Sequence, residues 1–185
     1  MPKLYFRYGT MNSSKTSNLI MTAYNYTTLG KKIMVVKPIT DTRSEHINSR
    51  AIGDLEVDVY LDSDMIINEL HENVCCILVD ECQFLSKVNV DNLRNLSRKV
   101  PVICYGLRTD YTSELFEGSK RLMEVADTIE EIKTVCVKCV NKKAIINAKY
   151  NLVNDKKIII FDGVNKIDIG YEDKYQSMCW ECWCE

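Results

Sequence analysis

Apolar residues fall into short runs separated by longer amphipathic stretches. The runs Leu4 to Tyr8, Ile33 to Val36, Leu55 to Leu61, Val74 to Val79 and Val102 to Tyr105 are of strand length and are bounded by polar or turn-forming residues. Val74-Cys75-Cys76-Ile77-Leu78-Val79 contains no charged or amide residue, as expected of a strand covered on both faces in a parallel sheet. Between the runs, the pattern predicts helices over Lys15 to Leu29 (ended by Gly30), Met65 to Glu72, and Asn89 to Lys99 (stopped before Pro101). This alternation predicts an α/β core with a mostly parallel sheet flanked by helices. Beyond Ile132 the pattern changes. Ala144-Ile145-Ile146 and Lys157 to Phe161 are β-type, no long helix is evident, and cysteine pairs stand at both ends. The chain thus divides into a core, residues 1–134, and a small C-terminal β lobe, residues 135–185, without a low-complexity linker.

Composition narrows the function classes. With 185 residues, 46% hydrophobic and 27% charged, the chain has ordinary globular usage, against disorder or a disulfide miniprotein. Lys plus Arg is 24 against 26 for Asp plus Glu, so no basic excess favours nucleic acid as a partner. Met1 to Tyr8 lacks the apolar stretch of a signal peptide, and charged residues interrupt every later apolar run before it could span a bilayer. The expectation is a cytoplasmic protein with no membrane partner. Nine cysteines in a reducing compartment predict burial or metal ligation rather than disulfides. Cys75, Cys76 and Cys104 sit in apolar runs and read as core.

Four constellations carry candidate chemistry. Gly9-Thr10-Met11-Asn12-Ser13-Ser14-Lys15-Thr16 lies between a predicted strand and a predicted helix. The backbone N–H groups of such a loop cradle triphosphate oxygens, Lys15 adds charge at the β/γ-phosphates, and the Thr16 hydroxyl can ligate Mg²⁺. Ser14 stands where a glycine is usual, putting a Cβ on backbone that glycine adopts freely. Asp80-Glu81-Cys82-Gln83-Phe84 leaves the most apolar strand at the end where α/β sheets bind ligands, so Asp80 is placed to hold a phosphate-bound Mg²⁺. Cys136-Val137-Lys138-Cys139 and Cys179-Trp180-Glu181-Cys182 form two C-x-x-C pairs, a donor set for structural Zn²⁺, with Cys184 as a spare that leaves the fourth ligand open. Asp41-Thr42-Arg43 opens a polar stretch after the second strand. It reads as a surface loop unless it closes over the site, where Arg43 would neutralise developing charge.

With these residues in hand, the chain resembles the type II thymidine kinases over nearly its whole length. The resemblance rests on Gly9 to Thr16 with Met11 inside it, Asp41-Thr42-Arg43, Asp80 to Phe84, Tyr105-Gly106-Leu107-Arg108-Thr109-Asp110-Tyr111 running into Glu114-Leu115-Phe116, and both cysteine pairs with Asp173-Lys174-Tyr175 ahead of the second. It implies a P-loop kinase core that moves the γ-phosphate of ATP to the 5′-hydroxyl of thymidine. By the same likeness, Glu81 is the general base, Arg43 a stabiliser near the acceptor, and Gly9 to Thr16 with Asp80 and Gln83 the ATP and phosphate contacts. Met11, Phe84, Leu107, Tyr111, Phe116 and Tyr175 would line the thymidine pocket, beneath a lid formed by Ala148 to Lys174. The resemblance also implies a homotetramer inhibited by the thymidine triphosphate end product. Two other classes stay open: a P-loop ATPase or switch protein using water as acceptor, and a zinc-ribbon nucleic-acid module. The acidic Glu172, Asp173, Glu181 and Glu185 count against the second.

Overall fold

The structure is a computed structural model that describes residues 1–39, 46–49, 52–154, 156–161 and 174–185. In chain order it forms β1 (Leu4–Tyr8), α1 (Lys15–Thr27), β2 (Lys32–Pro38), β3 (His46–Ser49), β4 (Gly53–Glu56), β5 (Val59–Leu61) and β6 (Val74–Val79). A 3-10 turn (Cys82–Phe84) follows, then α2 (Lys87–Leu96), β7 (Val102–Gly106), α3 (Glu117–Val125) and β8 (Thr128–Glu131). The C-terminal part holds β9 (Ile146–Val153), β10 (Lys156–Ile160), β11 (Tyr175–Met178) and α4 (Trp180–Cys184). The main sheet has the order β5-β2-β6-β7-β1-β8, with every pairing parallel.

The period of two in β6 explains how that sheet is covered. Cys76 and Leu78 join Leu19, Ile20 and Ala23 of α1 in one cluster. Ile77 and Val79 join Val90, Leu93 and Leu96 of α2 and Leu122 of α3 in the other. Cys76 and Cys104 are sealed core as expected, with burial holding both thiols well above their ordinary range, whereas Cys75 is half-exposed.

Two expectations shift. Helix α2 begins at Lys87, earlier than the pattern suggested, because Ser86 and Asn89 form a reciprocal cap: Ser86 Oγ accepts from Asn89 N–H at 3.2 Å and Asn89 Oδ1 accepts from Ser86 N–H at 2.9 Å. The segment Met65 to Glu72 is not helical. Asparagines of α2 supply the backbone partners that a helix would have provided: Asn92 accepts from Ile67 N–H at 2.9 Å and donates to its carbonyl at 3.1 Å, while Asn89 donates to the Met65 carbonyl at 2.7 Å. Tertiary hydrogen bonds override a short stretch of helical periodicity. Helix α3 and strand β8 form without having been singled out by pattern.

Strands β3 and β4 pair antiparallel by themselves, and beyond β8 the chain builds a three-stranded antiparallel sheet, β10-β9-β11, closed by α4. Among the described residues no helix is long and apolar enough to cross a membrane.

Candidate active site

Strand β1 delivers the loop Gly9 to Ser14 to the N-terminus of α1. Asn12 and Ser14 both take left-handed backbone, φ 57° and 66°. Ser14 therefore occupies the conformation that a glycine would adopt without strain, its side chain exposed and making no cap. Inside the loop, Thr10 Oγ1 and Ser13 Oγ are buried without a hydrogen-bond partner among the described residues. Phosphate oxygens would fit these two hydroxyls. Lys15 Nζ donates to the Thr10 carbonyl at 2.8 Å, within the same loop. A small polar cleft bordered by Thr10, Arg108, Glu131 and Asn147 adjoins it.

Only β7 separates β1 from β6, so the acidic end of β6 faces the same edge as the loop. Asp80 is 5% exposed. Burial first, then the adjacent Glu81 carboxylate, pushes its pKa up to about 7, with Lys15 and Lys37 pulling the other way. A carboxylate buried in this way beside a second carboxylate suits a divalent cation. Asp80 and the Thr16 hydroxyl in the first turn of α1 are the residues that would hold Mg²⁺.

Glu81 has left-handed backbone at φ 49°, which turns its side chain out of the strand direction. Its carboxylate accepts from Gln83 Nε2 at 2.5 Å, and Gln83 Oε1 accepts from Leu107 N–H at 3.0 Å. The turn is confined between two glycines, Gly106 from the stretch Tyr105 to Tyr111 and Gly118, which lies in no motif. A Cβ at Gly106 would meet Gln83 Oε1 at 2.5 Å and Cys82 Sγ at 2.6 Å. At Gly118 it would collide with the Cys82 carbonyl and lie 2.7 Å from that of Leu85. Gly118 stood in the sequence only as an isolated glycine.

The aromatic residues form two pairs, each joining separate parts of the chain. Phe84 and Phe116 pack edge to face with centroids 5.7 Å apart, and Tyr111 and Tyr175 lie 6.4 Å apart. Lys149 Nζ sits 4.9 Å from the Tyr111 ring and 6.0 Å from that of Tyr175. Asp110 shapes the loop that carries Tyr111, accepting from the N–H groups of Thr112 and Glu114 at 2.9 and 3.1 Å. Sequence reading gave Lys149 no role of its own, and it placed Asp110 within the stretch Tyr105 to Tyr111 without a role, because each acts through a neighbouring ring or loop. Arg43, and the part of the expected lid at 155 and 162–173, lie outside the described residues.

In the C-terminal lobe the ligand atoms of Cys136, Cys139, Cys179 and Cys182 all lie within 4.8 Å of one another. Cys182, not Cys184, completes the set, and Cys184 is exposed beyond it. Burial alone would push the Cys136 thiol up, yet backbone N–H groups of Cys139, Cys179 and Lys138 outweigh it and bring it down to about 6. Burial, then the neighbouring sulfurs, pushes Cys182 up to about 12. Thiols that compete in this way can all ionise only around a cation, and four sulfurs suit tetrahedral Zn²⁺. No ligand position is left over for water, so such an ion would hold the lobe together rather than act on substrate.

A loop of phosphate-binding type, an acidic strand end, two aromatic pairs and a four-cysteine cluster thus occur in one chain. Residues 2–183 match the family model described as Thymidine kinase. Two proteins named "Thymidine kinase", from Streptococcus agalactiae serotype Ia and Streptococcus pyogenes serotype M3, are each 38% identical to this chain. Each alignment covers 97% of this chain and 95% of the relative, so the similarity takes in core and lobe alike. Similarity of that extent, running through every element of the site just described, makes this chain a member of the thymidine kinase family.

Proposed function

We propose that the chain transfers the γ-phosphate of ATP to the 5′-hydroxyl of thymidine, giving dTMP for nucleoside salvage. The observation that carries this reading is the pairing, on one sheet edge, of the Gly9 to Ser14 loop with Glu81, a half-buried carboxylate held by Gln83. Lys15 exchanges the Thr10 carbonyl for the β/γ-phosphates, and the hydroxyls of Thr10 and Ser13 gain the partners they lack. Asn12 and Ser14 contribute backbone to the same cradle, and Gly9 and Met11, whose N–H groups are held by the Gly106 carbonyl and Asn147 Oδ1, set its shape. Mg²⁺ held by Thr16 and Asp80 would neutralise charge on the phosphates. Glu81 takes the proton from the 5′-hydroxyl as the oxygen attacks, and Gln83 serves the phosphate site through Glu81, both ends of its amide being engaged. Arg43 is assigned to the charge that develops near the acceptor. Met11, Phe84, Leu107, Tyr111, Phe116 and Tyr175 receive the nucleoside, and Zn²⁺ on the four cysteines anchors the lobe that carries the lid. We assign the protein to the cytoplasm, as a homotetramer subject to inhibition by thymidine triphosphate.

An assay of ATP consumption with and without thymidine tests the reading. Turnover should depend on thymidine and yield dTMP. ATP hydrolysis at the same rate whether or not thymidine is present would assign the site to a water-using ATPase instead.

A further inference from the structure

Met11 stands in the middle of the phosphate loop, and both of its backbone polar groups are held by side chains of the C-terminal lobe. Its N–H donates to Asn147 Oδ1 at 2.8 Å, and its carbonyl accepts from Ser177 Oγ at 2.5 Å. Asn147 and Ser177 sit directly opposite each other on β9 and β11, and each is 3% exposed. The other end of the Asn147 amide donates to the Thr109 carbonyl at 3.1 Å, which fixes which way the amide points. Ser177 is anchored in turn, since its carbonyl accepts from Val137 N–H at 3.0 Å, beside Cys136.

A phosphate loop cannot hold its own shape in the way a tight turn does. Its N–H groups must point at the anion, so they are not available for internal bonds. Here the difficulty is greater, because Asn12 and Ser14 adopt left-handed backbone without being glycine. Within the loop the backbone closes on itself only through Ser13 N–H to the Thr10 carbonyl at 3.3 Å. The shape has to be imposed from outside, and the pair on β9 and β11 grips it at the residue between those two bonded groups.

We infer that Asn147 and Ser177 are positioning residues for ATP: they lock the phosphate loop, through both polar groups of Met11, in the form that receives the β/γ-phosphates. The C-terminal lobe then belongs to the nucleotide site as well as to the nucleoside site. This rests on the kinase reading for the identity of the nucleotide, not for the clamp itself.

The test compares Ser177→Thr with Ser177→Val in the full-length zinc-loaded protein. The two side chains have nearly the same shape and both suit a strand, so they differ at the hydroxyl that Met11 uses. Binding of a non-hydrolysable ATP analogue with Mg²⁺ is measured by calorimetry, alongside zinc content. Ser177→Thr should bind close to wild type, and Ser177→Val should bind about three- to tenfold more weakly. Both should retain their zinc. Asn147→Ala should weaken the analogue by a similar factor or more, since it frees Met11 and Thr109 together. Equal affinity in the Thr and Val variants would overturn the inference. If wild type binds the analogue but shows no thymidine-dependent turnover, the kinase reading fails, while a persisting difference between the two variants still supports the clamp.

Discussion

In the main sheet, Leu4, Phe6, Ile77, Leu78 and Val79 are completely buried, with α1 on one face and α2 and α3 on the other. The small sheet has no such interior. Of the seven buried residues in its cluster, three are the cysteines Cys136, Cys179 and Cys182, so its centre is largely the metal-ligating set. Each fully buried aliphatic side chain of the core contributes about 1.5–3 kcal/mol, and the core has many. The lobe has Ile146, Ala148, Met178 and Trp183 beside its sulfurs, and the apolar side chains of Leu152 and Ile158 on its hairpin stay in solvent. One region is stabilised by burial and the other gathers four cysteines that a metal ion would tie together, although β9 and β11 bring the two regions together at Met11.

The strongest test of that contrast is metal removal. Structural zinc binding supplies about 10–16 kcal/mol in small domains, far more than the lobe's apolar cluster. Metal analysis should find one zinc per chain. Cys139→Ser or chelation should unfold the lobe and abolish kinase activity, while hydrogen exchange still shows protection across β1, β6 and β7. A lobe that stays protected without metal would erase the distinction.

Glu81→Gln should lower kcat by about 10²- to 10⁴-fold with ATP affinity and thermal stability nearly unchanged. Here the effect is confined to chemistry, because the glutamine keeps the shape and the Gln83 contact while losing the base. Near-normal turnover would remove Glu81 from its role.

Each region also holds a non-glycine residue in left-handed backbone, Ser14 at φ 66° in the core and Val140 at φ 52° beside Cys139 in the lobe. Relief of that strain is worth about 1 kcal/mol after the extra entropy of glycine is counted. Ser14→Gly should raise the melting temperature in the presence or absence of metal and leave ATP binding unchanged or tighter. Val140→Gly should stabilise only the metal-loaded protein, since the strain there exists only while the cysteines are gathered. Loss of ATP binding in Ser14→Gly would show that the serine is itself a contact.

The smallest effect concerns acid. The Arg94 guanidinium first, and the Leu4 N–H second, hold the Asp127 carboxyl below its ordinary range. A depressed carboxyl stabilises the fold fully above its unfolded value and loses that contribution as pH falls through the folded value. Asp127→Asn should therefore lower the melting temperature slightly at neutral pH, with the gap to wild type closing below about pH 4.

What could be read from the sequence is what lies contiguous in it. The phosphate loop, the acidic end of β6 and the two C-x-x-C pairs each place their chemistry within a few residues, and local backbone rules then orient it. Strands such as Val74–Val79 were legible for the same reason, since burial on both faces leaves an uninterrupted apolar run. The absence of helix at Met65 to Glu72 was not legible, because it depends on Asn89 and Asn92 of α2. Cys182 was selected over Cys184 only when α4 turned one sulfur inward. Most of all, the grip on Met11 joins residues 136 and 166 positions apart. An asparagine and a serine on facing strands carry no motif, and their meaning arises only when the fold sets them against a loop that cannot satisfy its own backbone.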